Sequence, residues 1–463
     1  MTEAIKTTLR DSKFARWAAL GVVSFTMLCA YYINYVLSPL KPYLEEYLNW
    51  SSEEYGLWMS AYGWFNVFFF MLIIGGIILD KMGVRFTGIM ASLIMIVGTF
   101  LQYIAVAELF SMEGHILGYK TQIIIGSIGF AVFGVGVEIA GITVSKIIVK
   151  WFKGKEMALA MGLEMATARM GTALALTVPV PLATALGFEG FPSISAPLML
   201  GLGLLLAGFI AFIWYTFMDR KLDKSISAAA TGEEEEESFR IKDILYIINN
   251  KGFWLIALLC VLFYSGVFPY LYYATDLMVN KYGLDPKVAG IIPSLLPFGT
   301  ILLTPLFGTI YDRVGKGASI MLLGSFMLVF VHSMFAIPAF DSWVFAAFLV
   351  IVLGITFSLV PSAMWPSVPK IIPEKRLGSA YALIFWVQNW GLMGVPYLIG
   401  WQLDNYCRVF NEDGSFSHYD YTIPMITFAA FGVLAVIVAF MLKAEDRKKG
   451  YGLQNPNIEK LIT

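Results

Sequence analysis

The chain has 463 residues, of which 58% are hydrophobic and only 14% are charged, and its mean hydropathy is +0.72. A soluble domain carries about 25% charged residues, so this composition excludes an ordinary soluble protein and indicates a chain that lies in the lipid bilayer. The net charge of −1 offers no basic field for nucleic acid, and we expect no nucleic-acid partner.

Residues that commonly hold metals are few and scattered. The three cysteines and three histidines show no metal-ligand spacing, which argues against zinc, haem or any other cofactor. They are Cys29, Cys260, Cys407, His115, His332 and His418. The polar N-terminal segment leads into an apolar run without a small-residue cleavage site, so we interpret that run as a retained helix.

Twelve apolar runs are long enough to cross about 30 Å of hydrocarbon. We call them helices 1 to 12, and they lie near 17–40, 55–79, 86–108, 121–149, 156–187, 194–218, 252–280, 288–311, 317–339, 342–370, 377–403 and 421–442. Ser51 and Glu54 form a capping-box pattern before helix 2, and Asp285-Pro286 opens helix 8. The predicted fold is therefore an all-α membrane protein with twelve transmembrane helices.

The distribution of basic residues predicts the orientation of these helices. One side, with both termini, carries 26 Lys and Arg residues and the other side carries five, namely Lys41, Lys120, Lys281, Lys287 and Arg408. The positive-inside rule places the basic side in the cytoplasm. The remaining basic residue is Arg169, in the middle of helix 5.

The longest polar stretch separates helices 6 and 7. We predict a six-helix half at 1–218, a cytoplasmic linker at 219–251 and a second six-helix half at 252–463. The five acids at 233–237 indicate a solvated segment. After them, apolar residues at i, i+3, i+4 and i+7 predict an amphipathic helix that lies along the membrane, formed by Ile241, Ile244, Leu245 and Ile248.

A loop motif occurs twice, half a chain apart. After helix 2 the chain reads G-I-I-L-D-K-M-G-V-R, and after helix 8 it reads G-T-I-Y-D-R-V-G-K-G. Glycine permits close approach and tight turns, and the aspartate can cap a helix or pair with a base, so we predict a gating role for both loops. The residues are Gly76, Asp80, Gly83 and Arg85 in the first loop, and Gly308, Asp312, Arg313 and Gly315 in the second.

Two opposite charges are predicted at one depth in the membrane. Arg169 lies 13 residues into helix 5, or about 20 Å, and Glu138 lies twelve residues before Lys150 at the end of helix 4. A charge at the bilayer centre costs at least about 2.5–3.5 kcal/mol, so it needs a partner, a cavity or a ligand. The pair is either a structural ion pair or a site for a polar substrate, in which Arg169 suits a carboxylate and Glu138 an ammonium.

Other polar and aromatic residues are weaker candidates. Glu164 could line the inner vestibule and take part in coupling, and Asp276 in the outer part of helix 7 is expected to snorkel or cap. We expect prolines to interrupt helices 7 and 10, at Pro269, Pro361, Pro366 and Pro369. Six further residues could line a cavity, although packing is the more common role for each of them alone: Trp64, Tyr264, Tyr272, Trp365, Trp386 and Asn389.

The doubled G-x-x-x-D-[RK]-x-G loop resembles the signature loop of the major facilitator superfamily, which has two parallel six-helix halves. Further strings resemble its lysosomal dipeptide transporter branch and the bacterial relatives of that branch: G-V-E-I-A, V-K-W-F-K-G-K-E, A-R-M-G, V-F-P-Y, M-W-P-S-V, P-E-K-R-L-G-S-A-Y and V-Q-N-W-G. The resemblance implies facilitated transport of dipeptides by alternating access. It also implies that Glu138 and Arg169 contact the two peptide termini.

This sequence departs from that branch in places. Glu164 stands where the animal protein has a neutral amide, and Tyr272, Tyr273 and Asp276 replace smaller or different residues, so the substrate could differ. The N-terminal tail has no acidic dileucine signal, and a bacterial inner membrane fits better than a lysosome.

We therefore expect a monomeric secondary transporter of small charged or zwitterionic solutes, dipeptides first. The alternative is a proton-coupled organic-anion or sugar-acid symporter, in which Glu138 or Glu164 takes up the proton. A membrane enzyme would need a clustered nucleophile, metal ligands or a carboxylate pair, and the sequence has none of these patterns. The doubled loops and the lack of a soluble domain count against a sensor or channel.

Overall fold

The structure is a computed structural model that describes residues 9–107, 114–152, 155–188, 191–229, 241–373 and 376–457. Before the linker, the helices are Lys13–Tyr35, Lys41–Leu48, Ser52–Ser60, Trp64–Phe68, Met71–Ala107, Thr121–Phe152, Met157–Thr177, Pro179–Ala185 and Ala196–Ala229. After it, they are Ile241–Ile248, Lys251–Ser265, Phe268–Tyr282, Pro286–Ala289, Ile291–Val314, Gly317–Ala336, Trp343–Ile371, Leu377–Tyr406 and Thr422–Lys449. Short 3₁₀ turns lie at Leu9–Asp11 and Ala61–Gly63. Two antiparallel hairpins join β1 (His115–Ile116) to β2 (Tyr119–Lys120) and β3 (Arg408–Phe410) to β4 (Phe416–Tyr419).

The helices account for twelve membrane crossings. Within the described ranges, ten helices are long and apolar enough to span a membrane. One of them, Met71–Ala107, contains both the end of helix 2 and all of helix 3, because Gly83 at φ +75° breaks it. These spans account for eleven crossings, and helix 5, Met157–Thr177 with its continuation to Ala185, supplies the remaining one. Helix 5 is not among the ten because Glu164 and Arg169 lower its hydropathy. The twelve-helix prediction is confirmed.

The predicted helix starts are also confirmed. The hydroxyl of Ser51 accepts from the amide of Glu54, whose carboxylate in turn accepts from the amide of Ser51. Asp285 accepts from the amide of Lys287 at the start of the turn that precedes helix 8. These contacts satisfy amides that a helix leaves without partners at its start.

The expected interruptions occur in only one of the two helices. Helix 7 breaks at Gly266–Val267, and Pro269 lies in the first turn of its second segment. Helix 10 instead runs unbroken over Trp343–Ile371 through three prolines, so that part of the prediction is wrong. Each proline removes a single helical hydrogen bond, and a helix that is packed among others in a membrane tolerates this loss.

The contact between helices 1–6 and helices 7–12, here called the seam, is formed chiefly by helix 2 against helix 11 and helix 5 against helix 8. We call the side with Lys150 and Lys251 the basic face and the side with Lys41 the opposite face. Near the opposite face the backbones meet closely. A Cβ added at Gly400 of helix 11 would lie 2.2 Å from the carbonyl oxygen of Ser52, and one at Gly56 would lie 2.7 Å from that of Pro396.

Polar contacts also close the seam at the opposite face. Tyr55 donates its hydroxyl to the carbonyl of Tyr272 at 2.8 Å, and Tyr397 donates to the carboxylate of Glu53 at 2.9 Å. At the basic face, by contrast, ion pairs such as Lys150–Asp219 and Lys251–Glu445 stay within one half. The two halves are thus fastened together at the end away from the basic face.

Part of the linker prediction falls outside the described residues, namely the acids at 233–237. The amphipathic helix that follows is present at Ile241–Ile248. Its Leu245 and Ile248 are exposed and Ile247 is buried, and its placement along the membrane stays a prediction.

Candidate substrate site

Arg169 lies in the middle of helix 5 and is enclosed by aromatic rings from three other helices. Its guanidinium carbon lies 4.7 Å from the ring centre of Phe357, 5.7 Å from that of Phe268 and 5.7 Å from that of Tyr31. Electron-rich ring faces stabilise a cation that has lost water. Among the residues that the structure describes, none forms an ion pair or hydrogen bond with this guanidinium, so its planar fork of donors remains available to an anion.

A cavity lies against Arg169 and is lined by helices 5, 7, 8 and 10. Two of the predicted residues, Tyr264 and Trp365, line it together with Arg169. The indole of Trp365 donates to the hydroxyl of Tyr264 at 3.1 Å, and the ring of Tyr264 stacks on Phe268 at 5.0 Å. The cavity therefore combines one cation with apolar and aromatic walls, the usual make-up of a small-molecule site.

Glu138 lies on helix 4, in the same half as Arg169, and is held by neutral donors from both halves. The hydroxyl of Tyr62 donates to its Oε1 at 2.9 Å, and Asn389 of helix 11 lies within hydrogen-bonding reach of the same carboxylate. No salt bridge between Glu138 and Arg169 exists among the described contacts, so the structural ion pair that the sequence left open is not formed in this conformation.

Tyr31 of helix 1 connects the two charged positions. Its hydroxyl lies within electrostatic range of Arg169, Glu164 and Glu138. The three membrane charges therefore all lie near one side chain. An ion bearing both signs of charge could meet a complementary group at each end.

Comparison with known proteins identifies the family. The family model of the Major Facilitator Superfamily matches residues 23–396. The chain belongs to this superfamily. Its members are membrane transporters rather than enzymes, and the predicted fold and family are confirmed.

The superfamily relatives include the lysosomal dipeptide transporter MFSD1. The chain is 26% identical to MFSD1 of Danio rerio over 366 residues, covering 77% of this chain and 74% of that protein. It is 25% identical to MFSD1 of Homo sapiens over 371 residues, which cover 78% of this chain and 74% of the human protein. The probable sulfoacetate transporter SauU of Cupriavidus necator is 23% identical over 94% of this chain and 97% of its own.

Solved superfamily structures share the fold. A bacterial homologue of the human lysosomal transporter Spinster superposes with a TM-score of 0.69 at 15% identity, covering 94% of this chain and 98% of that one. The nucleoside transporter NupG superposes with a TM-score of 0.65 at 14% identity, covering 93% of this chain and 98% of the NupG chain.

The described residues contain no cluster of His, Cys, Asp or Glu that could hold a metal ion. The cavity lining offers one cation, the hydroxyl and indole groups of Tyr264 and Trp365, and aromatic surface.

Five predicted binding residues do not line the cavity, namely Glu138 and Asn389, which lie near each other, and Trp64, Tyr272 and Trp386. Trp386 donates its indole to the carbonyl of Val67 at 3.0 Å across the seam, and Trp64 donates to Ser60 at 3.2 Å within its own helix. Tyr272 is 2% exposed and contributes its carbonyl to the closed end of the seam. Trp386 and Tyr272 thus join the halves, and Trp64 bonds within its own half.

The superfamily signature loops share a backbone geometry. Gly83 and Gly315 occupy equivalent positions with φ of +75° and +71°, a region that glycine enters without strain. A Cβ at Gly76 or Gly308 would meet no atom within 4 Å, so neither lies at a close contact in this conformation.

The charged residues of the two loops have different partners. Asp80 pairs with Lys146 at 2.9 Å, and Arg85 pairs with Asp219 and Asp223 of helix 6. In the second loop the carboxylate of Asp312 accepts from the amide group of Asn457 in the C-terminal tail, and Arg313 is exposed. The gating role of both loops stays a prediction.

The expectation for Asp276 is wrong. Its side chain neither snorkels nor caps but is 1% exposed and pairs with Lys41 at 2.9 Å. Lys41, a residue of the first outer loop in the sequence, is itself completely buried. The buried ammonium of Lys41, from the other half, stabilises the ionised carboxylate of Asp276 in place of water.

Four residues at the site were missed by the sequence analysis: Tyr31, Tyr62, Phe268 and Phe357. One signal was available, because Phe357, Pro361 and Trp365 recur at i, i+4 and i+8 and line one stripe of helix 10. The others belong to apolar runs in which aromatic residues are frequent, and no spacing distinguishes them.

Proposed function

We propose that this transporter carries small zwitterionic solutes, dipeptides first, with Arg169 binding the carboxylate and Glu138 the amino group. The observation that carries the proposal is the absence of any protein anion on Arg169 within the described residues, in a cavity that three aromatic rings keep apolar. Arg169 is half-buried, and among the described residues its guanidinium has aromatic rings but no ion pair or hydrogen bond. A membrane cation in that state is costly, and a carboxylated ligand would relieve the cost bidentately.

The relatives support the same substrate class. MFSD1 is named a dipeptide transporter, and the chain covers about three quarters of it. A dipeptide presents one carboxylate and one ammonium separated by a short backbone, which matches a cation and a carboxylate arranged around Tyr31.

A second candidate is an organic-anion symporter in which Glu138 or Glu164 carries a proton. Its support is SauU, a probable sulfoacetate transporter whose length this chain covers almost completely. Sulfoacetate has no ammonium, so an anion-only substrate would use Arg169 and leave Glu138 free to exchange a proton.

We further propose that the chain acts as a monomer in a bacterial inner membrane, without a nucleic-acid partner, and that its basic face and both termini are cytoplasmic. The 26-to-5 distribution of basic residues supports this orientation. The structure, closed at the opposite face, would then face the cytoplasm.

The test is binding and uptake by the purified, reconstituted protein. Dipeptides, amino-acetylated dipeptides and sulfoacetate are compared by thermal shift and liposome uptake, with and without a pH gradient. Arg169→Ala should weaken dipeptide binding about 10- to 150-fold, the loss of one charge-assisted pair worth about 1.5–3 kcal/mol. Arg220→Ala, an exposed arginine at the basic face, is the matched control and should bind as the wild type does.

If dipeptides neither stabilise the protein nor enter liposomes while sulfoacetate does both, the second candidate replaces the first. Unchanged binding in Arg169→Ala would make this arginine part of the scaffold.

A further inference from the structure

A buried ion cluster crosses the seam at the opposite face. The ammonium of Lys41 lies 2.7 Å from Glu45 Oε1 and 2.9 Å from Asp276 Oδ2. The Tyr421 hydroxyl also donates to Asp276 Oδ2, while Asp276 Oδ1 has no hydrogen-bond partner among the described residues. We call Lys41, Glu45 and Asp276 the outer cluster.

The three members of the outer cluster play different parts. Lys41 and Glu45 belong to one short helix, Lys41–Leu48, so their contact persists whether or not the halves separate. Asp276 lies on helix 7, and its contact with Lys41 must break when the seam opens. Two carboxylates thus compete for one ammonium, and only one of the two contacts fastens the halves.

The cluster carries a net charge of −1 when both carboxylates are ionised. A buried net charge is costly, and a proton on Glu45 would remove it. That proton would also leave the ammonium of Lys41 entirely to Asp276, which strengthens the contact across the seam.

Glu45 is the member that the solvent can reach. Its side chain is 18% exposed, whereas those of Lys41 and Asp276 are 0% and 1% exposed. Its Oε1 also accepts from Ser52 at 2.7 Å and from Tyr419 at 3.3 Å. The charged and titratable groups around it come from its own short helix, helices 2, 7 and 11, the last hairpin and the start of helix 12. They are Lys41, Glu53, Tyr55, Tyr273, Asp276, Asp404, Arg408, Tyr419 and Tyr421.

We infer that Glu45 is a proton switch for the outer gate, so that its protonation holds the seam closed at the opposite face and its ionisation favours opening. The inference rests on the proposed alternating-access function and adds a control point at some distance from Arg169 and Glu138. The step is a proton transfer from water to a carboxylate and needs no other reactant.

Linkage gives the sign of the effect. Burial raises the pKa of Glu45 in the closed seam, against the opposing attraction of Lys41. In the open state water reaches the carboxylate, and its pKa returns toward the ordinary value for glutamate. The closed state therefore binds the proton more tightly and gains stability as the pH falls through that raised pKa, until the pH is below the ordinary value.

The test measures the separation of the two halves at the opposite face without any solute. Spin labels are placed at His115→Cys and Ser342→Cys, two exposed positions in loops of different halves. The three native cysteines are buried, so the labels attach to the introduced pair. Distances are measured by double electron–electron resonance in lipid nanodiscs from about pH 8 to about pH 5, a range that covers the titration of a raised glutamate.

We expect the short-distance population to grow as the pH falls, by up to about tenfold in the closed-to-open ratio per pH unit, the limit for one proton. Glu45→Gln should show mainly the short distance at every pH. Glu46→Gln, its exposed neighbour on the same helix, should respond as the wild type does. Asp276→Asn removes the contact across the seam and should favour the long distance throughout.

A Glu45→Gln variant that keeps the wild-type pH response, or that favours the long distance, would overturn the inference. If that variant does not fold, an Asp276→Asn variant that retains the wild-type short-distance population overturns it equally. Because no solute is present, this result is independent of whether dipeptides are the substrate.

Discussion

At the scale of single residues, the proposed role of Glu138 can be separated from packing by changing one charge. Glu138→Gln keeps the side-chain shape and an oxygen that can still accept from Tyr62, but it removes the negative charge. We expect it to weaken binding of a dipeptide with a free amino terminus about 10-fold or more, because a charge-assisted hydrogen bond contributes about 1.5–3 kcal/mol.

The amino-acetylated form of the same dipeptide is the control ligand, since it has no ammonium for Glu138 to bind. Its affinity should be equal in the wild type and in Glu138→Gln when both are measured by isothermal titration. Equal losses for the two ligands would instead mean that the substitution disturbs the cavity as a whole.

The sequence predicts one depth for Glu138 and Arg169, because helix length can be counted along adjacent segments. It could not supply their surroundings. Phe357 lies 188 positions from Arg169, and Lys41 lies 235 from Asp276, so both contacts depend on how the halves dock. Lys41 was counted as an outer basic residue because nothing local distinguishes a buried loop lysine from a solvated one.

At the scale of elements, the glycines of the two signature loops differ in backbone conformation and in the space around them, so they can be compared by substitution. Gly315 has φ +71° and ψ −134°, and a Cβ there would lie 2.5 Å from the backbone nitrogen of Pro456 in the C-terminal tail. Gly83 has a similarly unusual backbone but open space around it, and Gly308 is helical with open space. An alanine would therefore be strained at both Gly83 and Gly315, and it would also clash with the backbone at Gly315.

We predict that alanine lowers stability most at Gly315, less at Gly83 and hardly at all at Gly308. Backbone strain costs about 1–3 kcal/mol, and the tail must also move in Gly315→Ala. In the helix interior, alanine is favoured over glycine by about 0.5–1 kcal/mol. The order is checked by the melting temperatures of the purified variants, and a Gly315→Ala protein as stable as Gly308→Ala would contradict the geometry.

At this scale the sequence was informative where the signal is local. The capping pattern at Ser51 and the break before Pro269 could be read from adjacent residues. The continuity of helix 10 could not, because its prolines are tolerated through packing with other helices. The docking of the C-terminal tail could not be read from adjacent residues either. Leu453 of that tail is completely buried, and its carbonyl accepts from the amide of Gly317.

At the scale of the whole molecule, the seam at the opposite face is closed by backbone contacts that leave no room for side chains. Gly400 of helix 11 faces the carbonyl of Ser52 on helix 2, and an added Cβ would lie 2.2 Å from that oxygen. Gly394 lies on the same helix, and a Cβ there would meet nothing within 4 Å. Comparing alanine at Gly400 with alanine at Gly394 therefore distinguishes an effect on the seam from a general effect of alanine on helix 11.

We predict that Gly400→Ala shifts the transporter toward conformations open at the opposite face, whereas Gly394→Ala does not. Overpacking costs about 1–3 kcal/mol in the closed state, and the open state avoids that cost because helices 2 and 11 move apart there. Since about 1.4 kcal/mol is a factor of ten, the closed-to-open ratio should fall about 5- to 150-fold. The measurement is the distance between the spin-labelled loops at the opposite face. A Gly400→Ala protein with the wild-type distance distribution would show that the two halves do not separate along this contact.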